Sequence, residues 1–212
     1  MKKIMLIFVI LLCVTACTDI NSLSIDSVIS KTMSVNFKPN VYKTGYKYYL
    51  PRGMSLDKSY LFNEIISSKN YLYYLYVDVV SYYNKSKKVY KFNKNAYFSK
   101  IYDSDNGGYL EINLKGNGQY LIEIIYNYAK IEVIVDKKDI NECVSNALYI
   151  VKSIKYNNDI IASLLEKKDI DSIEEEFNVF NTTKNDSTYM KIDDTYKEPI
   201  DDNTVPDTDL IK

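Results

Sequence analysis

Four carboxylates, Asp78, Glu111, Glu123 and Glu132, lie inside runs of apolar residues, where a charge needs a partner or a purpose. Glu123 alternates with Ile122 and Ile124, Glu111 shares a strand face with Tyr109 and Asn113, and Glu132 shares one with Lys130 and Tyr128. If these strands pair, the carboxylates converge on one polar face lined by tyrosines. Two of them at roughly 5 to 10 Å would supply the acid and base of glycoside hydrolysis. The plainer expectation is the wet face of an antiparallel sheet, each carboxylate opposite a lysine. Composition narrows the chemistry further. The chain has no histidine, so imidazole catalysis, Ser-His-Asp and Cys-His arrangements and His-ligated zinc are all excluded. Asp103 and Asp105 in DSDNGG are the nearest approach to a hard-cation loop, but the closing glutamate is missing and the segment reads as a turn. No metal and no cofactor are expected.

A second group is cationic. Lys85, Lys87, Lys88, Lys91 and Lys94 stand among Tyr82, Tyr83, Tyr90 and Phe92, and no acidic residue falls between Asp78 and Asp103. The local field should attract anions. At a membrane or cell-wall surface those anions would be lipid head groups or wall polymers, worth about 1 kcal/mol per lysine. The bland alternative is a solvated connecting loop, because all but one of the 27 basic residues of the chain are lysines. That one exception, Arg52, follows Leu50-Pro51 in a turn, where its planar fork could clamp a carboxylate or phosphate or else bind a loop carbonyl. The 22 tyrosines include the pairs Tyr48-Tyr49, Tyr73-Tyr74 and Tyr82-Tyr83, which put an aromatic on each side of a strand, as core edge or as an interface for sugars and partners.

The elements that must hold these groups begin after a processed-looking start. Met1-Lys2-Lys3 precedes an apolar run from Ile4 to Val14, 11 residues long, which suits a signal-peptide core and is too short for the roughly 20 residues of a membrane-spanning helix. The run ends Val14-Thr15-Ala16-Cys17, which resembles a bacterial lipobox. The resemblance implies cleavage before Cys17, acylation of its thiol and attachment to the outer face of the cytoplasmic membrane; an ordinary cleaved signal or an uncleaved anchor are the alternatives. Two acyl chains hold a protein stably where one does not. With Cys13 removed and Cys17 acylated, only Cys143 stays in the body, so no intrachain disulfide is expected. Cys143 falls in an apolar helical stripe and reads as a buried small hydrophobe rather than a reactive thiol.

Residues 17–25 read as the lipidated cysteine and a tether, and residues 26–158 as one domain. Asp26 to Met33 forms a helix in this reading. Strands follow at Gly45 to Leu50, Leu61 to Ile66, Tyr71 to Val80, Ala96 to Tyr102, Gly108 to Leu114, Gln119 to Tyr126 and Tyr128 to Val135. The last four are parted by DSDNGG, KGNG and Asn127, hairpin signals that predict an antiparallel meander. Asp139 with Glu142 gives a capping-box-like start to a helix whose Ile140, Cys143, Val144, Ala147, Leu148, Val151 and Ile154 share one face. Grouped strands with flanking helices make the class α+β. The order of elements is similar to the sandwich of the PsbP and Mog1 type, and segments such as YYLPRGM and YYLYVDVVSYYN resemble those of uncharacterised lipoproteins of AT-rich Gram-positive bacteria.

Charge divides the rest. Residues 18–158 carry 19 basic and 13 acidic groups, while residues 159–212 carry 6 and 15. Residues 159–180 read as a helical extension and 181–212 as an acidic, mostly disordered tail, solvating or masking the basic body. The reading that unites these features is an exported, lipid-anchored, non-catalytic binding or envelope-associated module. Its expected partners are the membrane through Cys17, anionic lipids or wall polymers, and a protein partner. Nucleic acid is excluded by export. The alternative is a carboxylate-dependent hydrolase acting on cell-wall glycan.

Overall fold

The computed structural model describes residues 20–86, 90–102 and 107–166. The lipobox with Cys17, the paired lysines Lys87 and Lys88, the loop residues Asp103 and Asp105, and the acidic tail all lie outside them. Among the described residues no helix is long and apolar enough to cross a membrane.

After a short 3-10 turn, α1 (Ile25–Ser34) starts where the Ser24 hydroxyl accepts from the Ser27 N–H, an N-cap that fixes its first turn. Strands β1 (Val41–Tyr42), β2 (Tyr46–Tyr48), β3 (Met54–Ser59), β4 (Asn63–Ser68) and β5 (Tyr71–Val77) lead to a short helix α2 (Val79–Asn84). A connector then runs to β6 (Phe98–Tyr102), β7 (Gly108–Leu114), β8 (Gln119–Tyr126) and β9 (Ala129–Asp136), followed by α3 (Ile140–Ser153), β10 (Lys155–Tyr156) and α4 (Asn158–Glu166). Seven strands form one antiparallel sheet in the order β3-β4-β5-β9-β8-β7-β6, and β1-β2-β10 form a second, small one. The class is α+β, with the meander β6 to β9 as expected.

Period-two alternation assigns the sheet its two faces. Leu110, Ile112, Ile122, Ile124, Ile131, Val133 and Val135 share the face that α3 covers, and all are essentially inaccessible. Helix α1 packs on α3, where the Thr32 and Ser145 hydroxyls meet at 3.0 Å, and Asp26 reaches Lys100 of β6 at 2.7 Å. Cys143 is buried in this layer, and burial pushes its thiol up to about 11, so it is inert at neutral pH.

Three expectations need correction. The strand predicted to reach Val80 ends at Val77, because the Asp78 side chain accepts from the Ser81 N–H at 2.8 Å and begins α2 there, while the Asp78 N–H donates to the Tyr128 carbonyl. The strand read at Leu61 to Ile66 lies two residues later, and β3 was not foreseen; a bulge between Leu56 and Lys58 breaks its alternation. The capping box at α3 is not made: Asp139 accepts from the Tyr71 hydroxyl at 2.6 Å and Glu142 pairs with Lys69 at 2.7 Å.

Candidate functional site

The outer face of the large sheet, opposite α3, brings three of the four predicted carboxylates together. Cross-strand register sets Glu111 of β7 against Glu123 of β8, and Glu123 against Glu132 of β9. Ser99 of β6 and Tyr74 of β5 continue the row at either end. Asp78 is elsewhere, at the start of α2. The carboxylates thus oppose one another rather than lysines, which is the reverse of ordinary cross-strand pairing.

Nor is the face wet. Glu123 and Lys130 are only 7% and 8% exposed, and Tyr109, Leu121 and Ile125 around them are also buried. The cover is the α2–β6 connector. Tyr90 stacks on Tyr109 with ring centroids 4.1 Å apart, its hydroxyl donates to Glu111 at 2.6 Å, and the Asn93 amide donates to the same carboxylate at 3.0 Å. The Asn113 amide adds a third bond at 2.6 Å.

Deeper in the row, the Lys130 ammonium lies 2.8 Å from Glu132 and 3.2 Å from Glu123, and the Tyr109 hydroxyl donates to Glu123 in a short bond. Two carboxylates and one ammonium leave an excess negative charge in a desolvated place. The register that sets Glu123 against Glu132 makes each carboxyl feel the other's charge, and the two respond in opposite directions. For Glu132, burial outweighs the pull of Lys130, and with Glu123 beside it the pKa rises to about 7. Burial acts on Glu123 too, but Lys130 and the Tyr109 hydroxyl more than offset it and hold this carboxyl below its usual range. Lys130 is raised because its two carboxylates outweigh its own burial. A carboxyl poised near neutral pH beside one held ionised is the chemistry this row supports. Among the described residues there is no group of three or more metal-ligating side chains.

A second buried carboxylate, not singled out by the sequence reading, sits on the inner face. Glu64 of β4 is 1% exposed and accepts from the Tyr46 hydroxyl at 2.6 Å and, in a short bond, from the Tyr48 hydroxyl, with Lys43 at 3.7 Å. Tyr46 and Tyr48 belong to β2, so these bonds fasten the small sheet to the large one. Both phenols are raised far above their ordinary range, by burial first and then by Glu64.

The cationic stretch divides by direction. Tyr90 and Asn93 turn inward to the sheet, while Lys85, Lys91 and Lys94 are exposed and Phe92 keeps 63% of its surface. Lys85 takes the left-handed conformation that closes α2, and its ammonium rests 4.0 Å above the Tyr82 ring. Tyr82 in turn stacks on Tyr156 at 3.8 Å and donates to Asn158, which ties α2 to β10 and α4.

No family model and no curated protein matches this chain. Among solved structures, a GTP binding regulator from Thermotoga maritima aligns over 64% of this chain and 93% of its own at 13% identity, with a TM-score of 0.26, a likeness too low to carry fold or function across.

Proposed function

We propose that this chain is a lipid-anchored, exported module that binds an anionic surface without catalysing a reaction, using the α2–β6 connector as its contact. The observation that carries the reading is the two-sidedness of that connector: Tyr90 and Asn93 fix it to the buried carboxylate row, leaving Lys85, Lys91, Phe92 and Lys94 outward. An exposed aromatic flanked by lysines suits the lipid interface, where the ring enters and the cations meet head groups. Acylation at Cys17 would hold the domain at the same surface, so the connector needs only modest affinity of its own.

The test separates anchor from connector. A mature chain with Cys17→Ser should sediment with vesicles containing anionic lipid and not with neutral ones. Lys91→Ala with Lys94→Ala should weaken that binding by roughly thirtyfold, from about 1 kcal/mol per lysine. Binding that ignores lipid charge, or that survives loss of both lysines, refutes the reading. Retention on wall fragments but not vesicles would move the anion from lipid to polymer. In the full chain, Cys17→Ala should abolish acylation and leave only the salt-sensitive membrane attachment that the connector supplies. The hydrolase alternative has the split between Glu123 and Glu132 in its favour, and release of reducing ends from wall glycan, abolished by Glu123→Gln, would establish it.

A further inference from the structure

On the helix-covered side, away from the connector, an open groove of about 620 Å³ is lined by Phe37, Asn40, Tyr49, Pro51, Arg52 and Tyr149. That volume lies within the range of small-ligand sites. Phe37 stacks on Tyr49 with centroids 4.3 Å apart and meets the edge of Tyr149 at 5.1 Å, so three rings form one continuous apolar wall. Phe37 is nonetheless 39% exposed, an aromatic left at the surface of a wall that stops short of closing.

Each wall is fixed from behind. The Lys152 ammonium binds the carbonyls of Thr32 at 3.0 Å, Met33 at 2.8 Å and Val35, which holds the end of α1 and the segment leading to Phe37. Asn40 spends its side chain on both backbone groups of Leu50, at 2.7 and 2.9 Å, and the Tyr49 N–H donates to Ser153 at 2.8 Å. The Met54 N–H closes a turn onto the Pro51 carbonyl at 3.2 Å, with Gly53 at φ +82° supplying the left-handed position a type II turn requires. Arg52 stands at the first central position of that turn, exposed, and among the described residues no carboxylate pairs with it.

The lining therefore has preformed aromatic walls, a single cation with a planar two-donor fork, and no acidic residue. We infer that this groove binds an anionic sugar, its apolar C–H face against the Phe37, Tyr49 and Tyr149 wall and its carboxylate or phosphate on the Arg52 guanidinium. Lysine, abundant everywhere else in the chain, cannot offer that bidentate geometry. The inference is independent of the connector and of its lysines.

Arg52 is the only arginine, so its Nε–H gives a single, self-assigned signal in a 15N spectrum. The full chain in neutral detergent is titrated with trigalacturonate, glucose 6-phosphate and maltotriose. Saturable movement of the Arg52 signal with either anionic sugar, and none with maltotriose, is the expected result; which anion binds tells carboxylated from phosphorylated sugars. Followed by ligand-observed saturation transfer, Arg52→Gln should weaken the binding about tenfold or more, with Arg52→Lys between, and Tyr149→Ala should also weaken it. The Gly53 amide signal checks that each variant keeps the turn. Equal binding of maltotriose, an unmoved Arg52 signal, or full affinity in Arg52→Gln overturns the assignment.

Discussion

Two clusters of tyrosine and glutamate occupy opposite faces of the same sheet, and they settle their buried charge differently. On the inner face one carboxylate, Glu64, meets two phenol donors and a lysine at 3.7 Å, so every acidic oxygen is matched. On the outer face Glu123 and Glu132 share one ammonium, Lys130, while Tyr109 donates to Glu123 and Tyr90 to Glu111. Acid exceeds cation there, and burial together with the neighbouring Glu123 raises Glu132 to about 7. The lesson concerns sufficiency. Two phenol donors and one cation match a single buried charge, whereas a row of carboxylates with one cation is left with an excess that protonation of one carboxyl relieves.

The strongest way to break the outer cluster is to remove its cation. Lys130→Met should cost about 3 to 5 kcal/mol at pH 8, because both carboxyls are left buried without a counter-charge. The urea midpoint measures this, with Lys69→Met as comparator: the Lys69 side chain is 63% exposed in its pair with Glu142 and should change stability by under about 1 kcal/mol. The loss in Lys130→Met should shrink at pH 5, where added protons relieve the excess charge; a small, pH-independent loss would mean that water screens the row. For the inner cluster, Glu64→Ala should cost about 3 kcal/mol by stranding the Tyr46 and Tyr48 hydroxyls. Adding Tyr46→Phe and Tyr48→Phe should restore part of it, and failure to do so would assign the loss to the cavity rather than the stranded donors.

The outer cluster was partly legible in the sequence and the inner one was not. Strands β7, β8 and β9 were legible because alternation agreed with the turn signals at Asn117-Gly118 and Asn127, and their register follows from those turns. That Glu111, Glu123 and Glu132 share a face was readable; that the face is dry was not. The wet-face expectation assumes that nothing crosses the sheet, and the connector's lysines read as a solvated loop while Tyr90 and Asn93 gave no sign of turning inward. Asp78 misled because Val79 and Val80 continue the β-like run past a residue whose side chain starts a helix. Glu64 carried no signal, since its partners come from another sheet, 16 and 18 residues earlier. The charged residues that mattered most were those whose neighbours arrive from far along the chain.

The comparison sharpens with pH. Glu132 is raised from the usual 4.5 to about 7 in the folded state, so its contribution to stability is complete below about 4.5 and is lost as pH rises through 7. Glu123 is lowered, so its contribution is present above the usual carboxylate range and is lost as pH falls through the folded value. The cluster should therefore favour the fold most near pH 5. Thermal unfolding from pH 5 to 8 should show a decline of up to about 3 kcal/mol from this source. Glu132→Gln should flatten that decline and be more stable than the parent at pH 8 by about 1 to 2 kcal/mol, since it removes the excess charge and leaves Glu123 paired with Lys130. An unaltered pH profile in Glu132→Gln would place the proton on another group.

The smallest effect belongs to the cover itself. Tyr90→Phe keeps the ring on Tyr109 but removes the hydroxyl that donates to Glu111 and accepts from the Asn93 N–H at 3.3 Å. Glu111 keeps its bonds from the Asn93 and Asn113 amides, so global stability should fall by only about 1 kcal/mol or less. The local consequence is larger than the global one, because the Tyr90 hydroxyl bonds both Glu111 and the Asn93 N–H, and a surface segment can open without unfolding the sheet beneath it. Hydrogen exchange should accelerate several-fold at the Asn93 and Asn95 amides while the β8 and β9 amides stay protected. If those strands exchange faster as well, Tyr90 belongs to the cooperative core and the connector is part of the sheet's stability rather than a cover laid upon it.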